Sequence, residues 1–134
     1  MMVDAVVVGA GPAGLAASAA LGARGVDHVV LEQDRAGQSW RTQRWASFRL
    51  NTAGWMNTML GGQARDAYAG GPEVVRRLER LAAACPVREG VRVDRVAPAG
   101  NGWTVATDGA GVVMARAVVV ATGDQNRHLS LIHI

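Results

Sequence analysis

Two apolar segments near the amino terminus predict buried strands. Val3–Val8 is apolar apart from Asp4, and Asp27–Leu31 ends in three apolar residues, as expected for strands covered on both faces of a parallel sheet. The alanine-rich segment between them predicts a helix that begins at Pro12 and ends near Gly25. Strand, helix and strand in this order form a βαβ unit, for which a right-handed crossover is expected.

The segment 34–72 has no clear hydrophobic period and predicts a loop or an irregular helical region held by aromatic anchors. The aromatic residues are Trp40, Trp45, Phe48, Trp55 and Tyr68. Among the tryptophans, Trp40 is also a candidate ligand contact. From Pro72 onward, apolar residues recur at helical spacing and predict a helix that must end before Pro86.

The remainder of the chain is rich in strand signals. Val91–Val96, Trp103–Thr107 and Val112–Met114 are separated by glycine-containing turns, which predicts a small antiparallel meander. Ala117–Ala121 is fully apolar, so we expect it to return to the buried parallel sheet as a separate strand.

Composition indicates a globular domain and limits the chemistry. The chain has 134 residues, of which 49% are hydrophobic and 19% charged, so one domain at most is expected and disorder is not. The single cysteine, Cys85, excludes an internal disulfide framework, a CxxC redox pair and a cysteine-rich zinc site. We expect Cys85 to be a buried small hydrophobe, no metal site, and a cytoplasmic protein.

The net charge of +3 raises the alternative of a nucleic-acid-binding protein. All 14 basic residues are arginines, however, and they are scattered along the chain. Only Arg76, Arg77 and Arg80 form a cluster, which we predict to lie on the exposed face of a helix. A membrane span over the uncharged segment Ala5–Ala23 is not expected either, because glycines and a proline interrupt it and its flank is acidic. We therefore expect neither nucleic acid nor a membrane span.

The turn after the first strand reads Gly9-Ala10-Gly11-Pro12-Ala13-Gly14, a GxGxxG pattern. In a dinucleotide fingerprint the first glycine allows a sharp exit from the strand and the second lets a pyrophosphate approach the backbone. The third lets the helix pack close to the strand, and the helix N-terminus attracts the phosphates. The position between a predicted strand and helix favours a dinucleotide site over a purely structural turn.

Glu32 ends the second predicted strand, 18 residues after Gly14. An acidic residue at about this spacing accepts hydrogen bonds from the two ribose hydroxyls and would repel a 2′-phosphate. NADP is therefore disfavoured at this turn, whereas NAD and FAD remain alternatives because both carry an ADP moiety.

Several short motifs resemble those of flavin-containing monooxygenase-like oxidoreductases, and the resemblance extends over Val3–Asn126. The motifs are Gly37-Gln38-Ser39-Trp40-Arg41, the segment Arg44–Thr52, Gly54-Trp55-Met56-Asn57, Pro86–Val91 and Ala121–Asn126. The Ala121-Thr122-Gly123 turn also resembles a turn near FAD in flavoproteins that have two dinucleotide-binding domains.

This resemblance implies an α/β, Rossmann-like FAD-binding domain, in which a parallel sheet with a crossover helix carries a small antiparallel meander. Residues 1–126 would be a truncated, partial domain of this kind, and NAD(P)H would bind to a second domain that is absent from the chain. The implied FAD-binding residues are Gly9, Gly11, Pro12, Ala13, Gly14, Glu32, Gln33, Ser39, Trp40, Val93, Ala121, Thr122 and Gly123. Ser39 and Trp40 would lie towards the flavin, and Val93 would offer its backbone to adenine.

The implied function is that of an FAD- and NAD(P)H-dependent monooxygenase acting on a small organic substrate, with this chain inactive by itself. A flavin-dependent reductase of the ferredoxin- or disulfide-reductase type and a non-catalytic nucleotide-binding redox sensor remain alternatives. No catalytic residue is assigned, and the oligomeric state is left open.

The last residues do not follow the pattern of the rest. Residues 127–134 are expected to be a non-native or disordered tail, and Leu129–Ile134 can be back-translated into a transposon end sequence used in sequencing libraries. We interpret these six residues as adapter read-through; a natural short tail is the alternative.

Overall fold

The computed structural model describes residues 2–59 and 64–123, so the expected tail at 127–134 lies outside the described residues. Six strands, three α-helices and one turn of 3₁₀-helix follow one another in these ranges. They are β1 (Met2–Val8), α1 (Pro12–Ala23), β2 (His28–Leu31), α2 (Gln38–Thr42), the 3₁₀ turn (Gly54–Met56), α3 (Gly71–Ala83), β3 (Val87–Arg88), β4 (Val93–Ala99), β5 (Gly102–Thr107) and β6 (Val112–Val120).

The strands form one six-stranded sheet in the order β3-β2-β1-β6-β5-β4. The pairs β3–β2, β2–β1 and β1–β6 are parallel, whereas β6–β5 and β5–β4 are antiparallel. The central strand β1 pairs Val6 with Val29 on one side and with Val118 on the other. The predicted α/β class, with a parallel sheet, a crossover helix and a meander, is confirmed.

Strand β6 corrects the prediction that Val112–Met114 and Ala117–Ala121 are separate strands. It is one strand of nine residues, in which Val112–Ala115 pairs with β5 and Met114–Val120 pairs in parallel with β1. Arg116 interrupts the apolar run in the sequence, but its side chain is 83% exposed and lies 3.7 Å from Asp4. Because side chains alternate along a strand, a solvent-facing arginine does not interrupt backbone pairing. The meander therefore extends the parallel sheet.

Two hydrophobic clusters form the core. One, the helix-side cluster, joins the sheet to the helices and contains Val7, Ala10, Leu15, Val30, Ala36, Ala69, Val74 and Leu78. The other lies among the strands and contains Val3, Val6, Val8, Val29, Leu31, Val105, Val113 and Ala115. Neighbouring residues such as Val29 and Val30 belong to different clusters because successive side chains of a strand point to opposite faces. Both faces are covered at β1 and β2, which explains their apolar sequences, whereas Ala117 and Val120 of β6 are exposed, so the prediction that this segment is buried was wrong.

The expected aromatic anchors of the segment 34–72 are confirmed only in part. Trp40 packs against the helix-side cluster and meets Phe48 edge-on at 5.6 Å. Trp45 and Trp55, in contrast, are 66% and 51% exposed, so the prediction that they anchor the segment by burial was wrong. Backbone hydrogen bonds hold this part of the segment instead, for example from Leu50 N to Ala69 O at 2.9 Å.

The arginine cluster of α3 also differs from its prediction. Arg76 and Arg80 are exposed, but Arg77 is only 8% exposed because it follows Val74 by three residues and shares its inward face. Its guanidinium contacts the Glu73 carboxylate at 2.5 Å one turn earlier. This hydrogen bond lowers the pKa of Glu73 below its ordinary value.

The structure also qualifies two smaller predictions. Strand β3 was missed because it has only two residues, which pair with Val30 and Leu31. Cys85 is half-buried at the edge of the helix-side cluster, with a free thiol. Among the helices in residues 2–59 and 64–123, none is long and apolar enough to cross a bilayer.

Candidate functional site

A groove of about 1030 Å³ opens at the carboxyl ends of β1, β2 and β6. The turn between β1 and α1 forms its floor, α2 with the residues after it forms one wall, and the start of β4 forms another. The sequence predicted thirteen binding residues, and twelve of them line this groove. They are Gly9, Gly11, Pro12, Ala13, Glu32, Gln33, Ser39, Trp40, Val93, Ala121, Thr122 and Gly123. Gly14 is not among the lining residues.

Gly9 and Gly14 are required by packing within the protein. Gly9 has a φ of 105°, and a Cβ placed on it would overlap the carbonyl oxygen of Ala121. A Cβ on Gly14 would overlap the carbonyl oxygen of Gly9 and would lie 2.9 Å from its carbonyl carbon. These glycines therefore allow β1, α1 and the end of β6 to meet closely.

Gly11 is different, because the protein itself does not require a glycine there. Its φ is −87°, which any residue adopts, and a Cβ placed on it would meet no protein atom within 4 Å. The residue lies immediately before α1, whose first turn presents backbone N–H groups that have no partner within the helix. The space above Gly11 belongs to the groove, so a phosphate group of a ligand can approach these N–H groups.

Glu32 connects the turn to the loop that follows β2. Its Oε1 accepts a hydrogen bond from Ala10 N at 2.9 Å, and its Oε2 accepts one from Asp34 N at 2.8 Å. A carboxylate has about four lone-pair sites, so both oxygens can still accept hydroxyl donors from the groove. The sequence predicted the ligand-binding role of Glu32 but missed that the same carboxylate holds the glycine-rich turn.

The α2 wall contributes polar side chains that the sequence did not predict. Gln38 lines the groove, and its buried Oε1 has no hydrogen-bond partner within the described part of the chain. This oxygen is covered by the protein, so the part of Gln38 that lines the groove is another part of its side chain or backbone. Thr42 and Gln43 line the same wall.

Arg44 extends this wall with a positive charge. Its guanidinium carbon lies 4.2 Å from the centre of the Trp40 ring, in a cation–π contact, and both residues line the groove. Arg44 lies two residues beyond the end of α2, so helical spacing in the sequence does not predict this contact.

The opposite wall is formed by the start of β4 and the residues before it, which pass beside Glu32 at the end of β2. Val91 N donates to Glu32 O at 2.9 Å, which brings Val91, Arg92 and Val93 to the groove beside Glu32. Backbone groups and a half-buried valine suit the edge and face of a flat heterocycle. The described lining thus combines backbone N–H groups, a carboxylate, an amide and a guanidinium, which are binding groups for a nucleotide.

Comparison with known proteins gives a match over nearly the whole chain. Residues 6–132 match the family model described as pyridine nucleotide-disulphide oxidoreductase. Indole-3-pyruvate monooxygenase YUCCA1 of Oryza sativa subsp. japonica is 38% identical over 128 residues, which are 90% of this chain and 32% of that protein.

Solved structures agree with this match. A flavin-containing monooxygenase from Stenotrophomonas maltophilia is 31% identical with a TM-score of 0.80, over 91% of this chain and 38% of that one. The bacillithiol disulfide reductase Bdr from Staphylococcus aureus has a TM-score of 0.82 at 19% identity, over 98% of this chain and 41% of that one, which shows a shared fold alone. This chain therefore spans between about a third and two fifths of these proteins.

Proposed function

The chain belongs to the pyridine nucleotide-disulphide oxidoreductase family, and from this premise we propose that its groove binds FAD through the ADP half of the cofactor. The observation that carries the proposal is the open space above Gly11. Packing requires the glycines at positions 9 and 14, whereas at position 11, the N-cap of α1, no protein atom fills the space that a side chain would take, and a ligand in the groove fits there.

In this proposal each wall of the groove has one task. The N–H groups after Gly11 hold the pyrophosphate, while Pro12 and Ala13 form the first turn beneath it. Glu32 accepts the ribose hydroxyls, with Gln33 beside it, and the backbone of Val93 contacts adenine. Ser39 and Trp40 lie towards the flavin, and Ala121, Thr122 and Gly123 form the floor next to it.

We propose that residues 1–126 are the partial FAD-binding domain of an NAD(P)H-dependent flavoprotein of the monooxygenase kind, which oxidises a small organic substrate. NAD(P)H would bind to a second domain outside these residues. When bound, FAD supplies the electron transfer from NAD(P)H to oxygen, while the residues of this chain bind and orient it. The identity to two monooxygenases, 38% and 31%, supports this choice over a reductase or a redox sensor. A cytoplasmic location is part of the same proposal.

A titration of the chain with FAD, followed by flavin fluorescence and absorbance, tests the binding proposal. We expect saturable but weak binding, displacement of FAD by ADP, and no turnover of NAD(P)H by the chain alone. FMN, which lacks the adenosine, should compete poorly. Equal affinity for FMN and FAD, or a failure of ADP to displace FAD, would overturn recognition through the ADP half. A tight stoichiometric yellow complex would contradict the expected weak binding.

A further inference from the structure

The short helix α2 is attached to α3 by a charged side chain that points away from the groove. Arg41 is only 17% exposed, and its Nη2 donates to Glu79 Oε1 at 2.5 Å. Its Nη1 donates to Ala36 O at 2.6 Å. Arg41 therefore joins α2 both to α3 and to the loop that precedes α2.

The peptide that Arg41 holds is itself adjacent to the glycine-rich turn. Ala36 N donates to Glu89 Oε1 at 3.0 Å, and the next residue, Gly37, donates its N–H to Ala10 O at 2.9 Å. A chain of short contacts thus connects Glu79, Arg41 and Ala36 to the floor of the groove. None of the hydrogen bonds Arg41–Glu79, Arg41–Ala36 and Gly37–Ala10 is part of the backbone hydrogen bonding within a helix or the sheet.

Helix α2 cannot fix its own position. It has five residues and no side-chain cap at its N-terminus, and isolated helices of this length are unstable in water. Four of its five residues line the groove, among them Ser39 and Trp40. Their placement must therefore come from tertiary contacts, of which the Arg41–Glu79 pair is the charged one.

The charges around Glu79 favour its ionised form. The hydrogen bond from Arg41 lowers the pKa of Glu79, and Arg35 contributes a weaker attraction. The Arg35 guanidinium lies 3.9 Å from the same oxygen and is 63% exposed, so solvent screens it more strongly than Arg41. Arg41 is thus the main partner of Glu79.

We propose that Arg41 and Glu79 are positioning residues for the cofactor: they hold α2 in the orientation that places Ser39 and Trp40 at the groove, and thereby set its affinity for FAD. This inference rests on the proposed FAD site. It predicts that a salt bridge outside the groove controls cofactor binding.

The chain offers a matched control for this proposal. Glu73 and Glu79 both lie on α3, and each carboxylate contacts an arginine at 2.5 Å. Only Glu79 reaches α2, since the partner of Glu73 is Arg77 of the same helix. Glu79→Gln should raise the Kd for FAD about two- to fivefold, the scale of losing one partly exposed ion pair. Glu73→Gln should leave this Kd unchanged, even if it lowers the melting temperature as much or more.

A second measurement needs no cofactor and separates this inference from the proposed function. The N–H groups of Trp40 and Gln43 form the hydrogen bonds at the two ends of α2, to Gly37 O and Ser39 O. Hydrogen exchange at these two amides should accelerate in Glu79→Gln and remain at the wild-type rate in Glu73→Gln. If the wild-type chain binds neither FAD nor ADP, the proposed function fails while faster exchange in Glu79→Gln alone still supports the α2 attachment. Unchanged exchange, or an equal rise of the Kd in both variants, would overturn the positioning role.

Discussion

Alanine substitutions at Gly11 and Gly14 should separate cofactor binding from folding, because the two glycines have different surroundings. A Cβ at Gly14 overlaps the carbonyl oxygen of Gly9, whereas a Cβ at Gly11 meets no protein atom within 4 Å. A methyl group at position 14 therefore overlaps the protein, whereas a methyl group at position 11 obstructs only a ligand. Gly22, in the same helix, is a matched control, since the nearest atom to its Cβ is 4.0 Å away in His28.

The expected magnitudes follow from these contacts. Gly14→Ala forces α1 away from β1, and overpacking of this kind costs about 1–3 kcal/mol. This loss corresponds to a decrease in melting temperature of roughly 4–12 °C for a domain of this size. At Gly11, alanine is a poorer N-cap than glycine but restricts the unfolded chain, and the two effects of about 0.5–1 kcal/mol oppose each other. Stability should then change by less than about 1 kcal/mol.

Gly11→Ala, which should hardly change the stability, should weaken the binding of FAD. A methyl group above this residue occupies the space through which the pyrophosphate approaches the N–H groups of α1. We expect the Kd for FAD to rise at least about tenfold, which corresponds to about 1.4 kcal/mol. Gly22→Ala should keep the wild-type Kd and gain up to about 1 kcal/mol of stability from the higher helix propensity of alanine.

Thermal unfolding monitored by circular dichroism and flavin-fluorescence titration of the same preparations provide both quantities. Wild-type affinity in Gly11→Ala would refute the assignment of this space to a phosphate. A wild-type melting temperature in Gly14→Ala would refute the packing argument for the turn.

Two further predictions concern the carboxylates. Glu32→Gln should lower the melting temperature and also raise the Kd for FAD, because one oxygen that accepts an N–H from Ala10 or Asp34 becomes an NH₂ donor. Thermal unfolding and FAD titration measure the two effects. A change in the Kd alone would contradict the double role of Glu32. Glu73 and Glu79 have pKa values in the folded state below their ordinary value of 4.5, so their contribution to stability is present above this pH and is lost as the pH falls below it. Melting temperatures measured between about pH 6 and pH 3 should therefore fall less steeply in the Glu73→Gln, Glu79→Gln double variant than in the wild type, and parallel curves would contradict the two shifts.

The floor of the groove could be predicted from the sequence because its determinants are local. Strand β1, the turn and α1 are consecutive, and Glu32 follows β2 directly, so spacing and residue type are sufficient to bring them together. The α2 wall could not be predicted in the same way. Gln38 belongs to a five-residue helix, and Arg44 follows it by two residues. The position of this helix depends on Arg41 and on α3, which is far away in the sequence.

The errors in the prediction have the same origin. The sequence predicts Arg77 on the exposed face of an amphipathic helix, and it leaves Arg116 between two separate strands. Arg77 is buried because Glu73 of the same helix face accepts its charge, whereas Arg116 points to solvent beside Asp4. Whether a charge is buried depends on the partner that the fold places next to it, and hydrophobic periodicity does not contain this information.

The contacts of the groove also determine which residue gives the clearest test of function. Glu32, Gly9 and Gly14 each hold the turn together, so a substitution at any of them changes folding and binding at once. Ser39 and Trp40 depend on α2, and a change there alters the wall as well as the contact. Gly11 has a backbone conformation open to any residue and no neighbour for a side chain. A loss of FAD binding in Gly11→Ala at unchanged stability can therefore be assigned to the ligand itself.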